Sequence, residues 1–157
     1  MHSEKYKKLV WEKKEDRVIL AELLRQGEVV ISSTDTVYGF LAPLEPKSYK
    51  RIQELKKTRD QRPFLILVGS LEKIYHFVDG KNITDRMKRF LSTCWPGPVT
   101  VIFRAREGLP HFLVSERGTV ALRVPSHEGL LSLLSEFDGL FSTSSNRTGE
   151  VTPASFS

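Results

Sequence analysis

Three short stretches of this sequence carry side chains able to bind and activate an anionic substrate. The first is Lys57-Thr58-Arg59, with Arg62 following. A lysine and an arginine two residues apart on an extended loop point to the same side. There the guanidinium can grip a phosphate or carboxylate with two parallel hydrogen bonds, while the ammonium acts as a point charge. The same pattern also occurs in any basic helix. The second stretch is Ser144-Ser145-Asn146, inside the polar run 142–149. Its hydroxyls and amide can donate several hydrogen bonds to an oxyanion or a ribose, and equally are ordinary material for a capped turn. The third is Ser33-Thr34-Asp35-Thr36, directly after an apolar segment. Its hydroxyls could orient a small polar substrate, or Asp35 and Thr36 could merely cap a helix. Arg123 joins the set because it sits in the apolar stretch Val120–Val124, where a guanidinium needs an anionic partner or a path to water.

Other chemistries lack their residues. The chain has no GxxxxGK[ST] loop and no pair of glycines spaced as GxG, which removes the two common phosphate-binding fingerprints. The four histidines His2, His76, His111 and His127 form no HExxH, and no GxSxG elbow is present. Acidic residues such as Glu54 and Asp60 are scattered, so no protein metal site is expected. Cys94 is the single cysteine, which excludes an intrachain disulfide or CxxC zinc site. Beside Trp95 it reads as a small core residue.

The elements that must hold these stretches alternate between helix and strand. Val18, Ile19, Leu23 and Leu24 recur at helical spacing, with Gly27 where a C-terminal cap belongs. Val29–Ile31 reads as a buried strand. A second helical pattern follows Pro46, with Tyr49, Ile52 and Leu55 on one face. Phe64–Val68 is a continuous apolar run, the mark of a core strand. Leu71–Val78 and Ile83–Cys94 look helical, and the prolines around Gly97 force a turn. Val99–Phe103, Thr119–Val124 and Leu140–Thr143 read as strands, and His127–Phe137 as a helix. The pattern predicts one α/β domain over residues 1–157, with helices packed on a twisted mixed sheet. Its polar loops at 32–36, 57–62 and 142–148 each adjoin a strand end, where α/β sheets commonly bind ligands.

With 157 residues, 39% apolar and 27% charged, the chain suits one globular domain. Its apolar runs are too short to span a membrane. The basic N-terminus lacks the apolar core of a secretory signal, so a cytoplasmic protein is expected. The net charge of +5 is concentrated: seven cations face two anions between Lys47 and Arg62, and the remainder balances. Such a segment points to a nucleotide or nucleic acid, or to a solvated helix face.

Taken together, SSTDTVYGF, the KxR of KKTRDQRPF, WPGPVTVIF, VALRVPSH and STSSNRTGE resemble, in order and spacing, the YrdC-like family of threonylcarbamoyl-AMP synthases of tRNA modification. The resemblance runs from about residue 28 to the end. It implies a YrdC-like α/β sheet with a basic central cleft, and catalytic roles for Lys57, Arg59, Ser144 and Asn146. Thr34, Arg62, Thr100, Arg123 and Thr152 fall where similar proteins hold L-threonine or ATP. Three departures stand out. Ser33 replaces a proline, the spacing from KxR to Arg62 is one residue short, and the sequence stops at Ser157 where relatives continue with a further strand, so the C-terminal end of the usual domain is expected to be missing. The implied reaction is a nucleotidyl transfer: L-threonine, bicarbonate and ATP, the last with Mg²⁺, give threonylcarbamoyl-adenylate and pyrophosphate. Downstream threonylcarbamoyl-transfer machinery then modifies adenosine 37 of tRNA to t6A. The alternative is a non-catalytic module that binds tRNA or double-stranded RNA through its phosphates.

Overall fold

The computed structural model describes residues 8–34, 38–58 and 63–144. Its centre is a six-stranded mixed sheet in the order β1-β2-β6-β3-β5-β4. The strands are β1 (Val30–Ser33), β2 (Tyr38–Pro43), β3 (Leu65–Leu67), β4 (Val101–Arg104), β5 (Thr119–Arg123) and β6 (Leu140–Ser144). All neighbours are antiparallel except β3 and β5. The expected α/β architecture is therefore present.

Strand register assigns the faces. Leu41 pairs with Ser142, Leu65 with Ser142, and Leu67 with both Leu140 and Arg123. Because side chains alternate along a strand, these residues share one face. Phe40, Thr143, Phe141, Ile66 and Leu122 share the other. Two apolar clusters follow that division. Helices α1 (Lys14–Arg25) and α4 (Glu128–Leu134) bring Leu20, Ala21, Leu24, Leu130, Leu133 and Leu134 onto the Leu41/Leu67 face. Helices α2 (Pro46–Leu55) and α3 (Asp85–Cys94) bring Ile52 and Leu91 onto the Phe40/Phe141 face, with Ile74 of a 3₁₀ helix over Leu71–His76.

Local chemistry fixes the helix ends. The Thr84 hydroxyl accepts from the Met87 amide and starts α3, and His127 Nδ1 accepts from the Leu130 amide and starts α4. Helix α1 ends before Gly27, whose φ of 86° suits glycine alone. Helix α2 ends in a paired-hydrogen-bond cap: the Lys57 amide donates to Glu54 O and the Thr58 amide to Gln53 O. That cap requires a left-handed residue after the helix, and Lys57 fills it with φ 50°.

Two elements differ from the sequence expectation. Residues 71–76 wind as a 3₁₀ helix instead of the expected α-helix. Strand β2, inside the sheet, does not show in the apolar pattern. Its burial is nearly continuous from Gly39 to Pro43, so no alternation marks it, and it contains both glycine and proline. Gly39 is required there, because a Cβ would run into the Thr143 carbonyl of β6.

Candidate functional site

At one end of the sheet, on the face that α1 and α4 share, a cleft of about 320 Å³ lies among Thr34, Gly39, Leu65, Arg123, Ser142 and Ser144. Each wall has a simple origin. Ser142 and Ser144 alternate onto this face at the end of β6, and Gly39 lies opposite Ser144, where β2 and β6 approach too closely for a side chain. Arg123 reaches it from the end of β5, with 6% of its surface exposed. Thr34 follows the last residue of β1. A buried guanidinium beside three hydroxyl side chains forms a positive pocket with both donors and acceptors.

A cation that the sequence reading did not select completes this end. Lys56, the residue capping α2, comes from the opposite face of the sheet and is 9% exposed. Its Nζ donates to Ser144 O at 2.9 Å, to Thr143 Oγ1 at 3.1 Å and to Ser144 Oγ at 3.2 Å. The three ammonium hydrogens match three oxygens. Burial pushes the Lys56 pKa below its ordinary value of 10.5. With one lone pair of Ser144 Oγ taken by an ammonium, the serine hydroxyl is polarised to donate to an anion.

Lys57 is placed differently from the expectation that it would share a cleft with Ser144. It is exposed and lines a larger groove of about 690 Å³ on the outer side of α2, with Tyr49, Lys50 and His111 among its neighbours. The reason is the helix cap: the left-handed turn at Lys57 carries its side chain away from Lys56. The larger groove is open and holds none of Thr34, Arg123 or Ser144. Thr100 is exposed ahead of β4. Carrying the pairing of Val101 with Leu122 one step further sets it opposite Arg123, on the cleft's face. Arg59, Arg62, Asn146 and Thr152 lie outside the described residues. Thus the structure brings Thr34, Arg123 and Ser144 together and separates Lys57 from them. Among the described residues, no three His, Cys, Asp or Glu side chains gather as metal ligands. No helix among them is long and apolar enough to cross a membrane.

Comparison with known proteins agrees with this arrangement. The profile of the Sua5/YciO/YrdC family, described as "Telomere recombination", matches residues 22–157. The chain belongs to the Sua5/YciO/YrdC family. Family relatives named threonylcarbamoyl-AMP synthase include those of Photorhabdus laumondii, 33% identical over 80% of this chain and 68% of that protein, and Klebsiella pneumoniae, 29% identical over 82% and 68%. The Pyrococcus abyssi relative of the same name is 32% identical over 87% of this chain but only 40% of its own length. The solved structure of P. abyssi Sua5 complexed with L-threonine superposes with a TM-score of 0.80 and 31% identity, over 90% of this chain and 42% of that one. Escherichia coli YciO, with a TM-score of 0.71 and 23% identity, shares the Sua5/YciO/YrdC fold.

Proposed function

We propose that this chain is a threonylcarbamoyl-AMP synthase that works in the cytoplasm on L-threonine, bicarbonate and Mg²⁺-bound ATP. The observation that carries the reading is the cleft where Arg123, Thr34 and Ser144 meet, backed by the buried Lys56 ammonium, in a chain similar to a Sua5 that binds L-threonine. The cleft's volume lies at the small end of the ~300–1,000 Å³ usual for small-molecule sites, a size suited to an amino acid.

In this reading the neutral threonine amine first combines with bicarbonate, losing water to give a carbamate. A carbamate oxygen then attacks the α-phosphorus of ATP, and the bond to the β-phosphate breaks as pyrophosphate leaves. Neither step needs a protein nucleophile. The residues work by holding reactants together and stabilising charge. Arg123 pairs with a carboxylate or carbamate, and the Thr34 hydroxyl orients the amino acid. Ser144, polarised by Lys56, donates to a phosphoryl oxygen. By the family resemblance, Arg59 and Asn146 are assigned catalytic roles, and Arg62, Thr100 and Thr152 the binding of L-threonine or ATP. The product would pass to the machinery that modifies tRNA.

The test is pyrophosphate release from Mg²⁺ and ATP by this chain. Release that requires both L-threonine and bicarbonate is expected. Release without them would mean a different reaction on ATP, and none while RNA binding falls steeply with salt would replace the synthase with the RNA-binding alternative, which the comparisons do not favour.

A further inference from the structure

Trp11 lies outside every motif described so far, yet it contacts residues beside two segments of the cleft lining, next to Thr34 on one side and after Arg123 on the other. Its indole Nε1–H donates to Ser33 Oγ at 3.3 Å, and Ser33 precedes Thr34. Its ring meets the His127 imidazole edge-on, with centroids 5.0 Å apart, four residues beyond Arg123. The ring also lies against the start of α4: a Cβ on Gly129 would come within 2.8 Å of Trp11 Cε3. Glycine inside a helix normally weakens it, so this approach gives Gly129 a reason to be there. The strap carrying Trp11 is itself fixed. The Val10 amide donates to Asp16 Oδ2 at 2.8 Å, and an Arg17 Nη1–H donates to the Trp11 carbonyl, both partners coming from the first turn of α1.

We propose that Trp11 is a positioning residue that sets the separation of the Thr34 and Arg123 walls, and thereby the affinity of the cleft for its amino-acid substrate. This rests on the synthase reading given above. The indole hydrogen bond holds the end of β1, while the ring holds the β5–α4 connection. Loosening either contact frees Thr34 to move relative to Arg123. Lys56, at the end of α2, and Ser144, at the end of β6, are assigned the nucleotide side and are held to each other by hydrogen bonds.

Three variants disturb this contact in different ways. Trp11→Phe keeps a ring on His127 and removes the donor, Ser33→Ala removes the acceptor, and Gly129→Ala displaces the ring without altering it. Threonine binding is measured by calorimetry, with KM for threonine and for ATP, and the thermal midpoint, alongside. Each variant is expected to weaken threonine ~3- to 10-fold, the scale of one neutral hydrogen bond, with KM for ATP and the midpoint unchanged. Trp11→Phe combined with Ser33→Ala should be no worse than either alone. Unchanged threonine affinity, an equal rise in both KM values, or additive losses would each overturn the proposal while leaving the synthase reading standing. A wild-type chain that binds no threonine overturns both.

Discussion

Replacing Lys56 by methionine separates the buried lysine from its exposed neighbour more cleanly than any other change. Methionine keeps the length of the side chain and removes the charge and all three donors. The three contacts, at 2.9, 3.1 and 3.2 Å, are each of a type that carries about 1.5–3 kcal/mol. Two effects oppose their sum. Burying the ammonium is unfavourable, as the lowered pKa of Lys56 records. Thr143 and Ser144 are also only half-buried, so water can satisfy their oxygens once the lysine is gone. The net loss of stability should be ~1–2 kcal/mol, which a domain of ordinary stability withstands. Catalysis has no such compensation. Losing a positioned charge that polarises a donor to the reacting group is worth ~10²–10³ in rate. Pyrophosphate release, read beside urea unfolding of the same samples, should therefore fall about 100-fold in Lys56→Met while the fold persists. Lys56→Arg should recover part of it, and Lys57→Met should lose far less. Wild-type kcat/KM in Lys56→Met, together with collapse in Lys57→Met, would refute the assignment of the working ammonium to Lys56.

The left-handed Lys57 should be better served by glycine: Lys57→Gly is expected to raise unfolding free energy by about 0.5–1 kcal/mol, read as a higher denaturant midpoint at constant slope. Titration should expose the buried ammonium. Because the folded pKa of Lys56 lies below 10.5, the unfolded chain holds more protons between those two values, and stability from this group rises with pH across that window. The difference in unfolding free energy between wild type and Lys56→Met should accordingly shift toward wild type as pH approaches 10.5, and a flat or opposite trend would contradict the burial. Gly39→Ala should destabilise the sheet by about 1–3 kcal/mol, since the new methyl meets the Thr143 carbonyl, with the loss visible in thermal melts.

Sequence periodicity locates α1 and α2, although the buried stripe of α1 is Leu20, Ala21 and Leu24 while Val18 is exposed, and Leu55 of α2 is exposed too. It fails at β2, where Gly39, Phe40, Leu41, Ala42 and Pro43 are buried on both sides and no alternation remains to be seen. At the cleft, side-chain chemistry marks Thr34, Arg123 and Ser144 only as candidates, and the family resemblance singles them out. Lys56 was hidden by its neighbour, although a signal existed. It stands four positions after the fully buried Ile52, so the helical repeat places it on the core side, whereas Lys57 comes one step later and turns with the cap. Counting cations treats the two as equivalent. Counting helical phase distinguishes them.

The position of β6 has a consequence for how the chain assembles. β6 sits between β2 and β3 yet is the last of the described strands in chain order. Until it is in place, the β1–β2 hairpin and the β3–β5–β4 half share no backbone hydrogen bond, and each presents a raw inner edge. Synthesis must run almost to Ser144 before the two halves can be stitched, and closing such distant pairings is slow. During that interval the unpaired edges of β2 and β3 invite pairing with other chains. The strand that brings Ser144 to the cleft is thus also the one whose arrival covers the inner edges of β2 and β3, so the cleft forms in the same step that removes those edges.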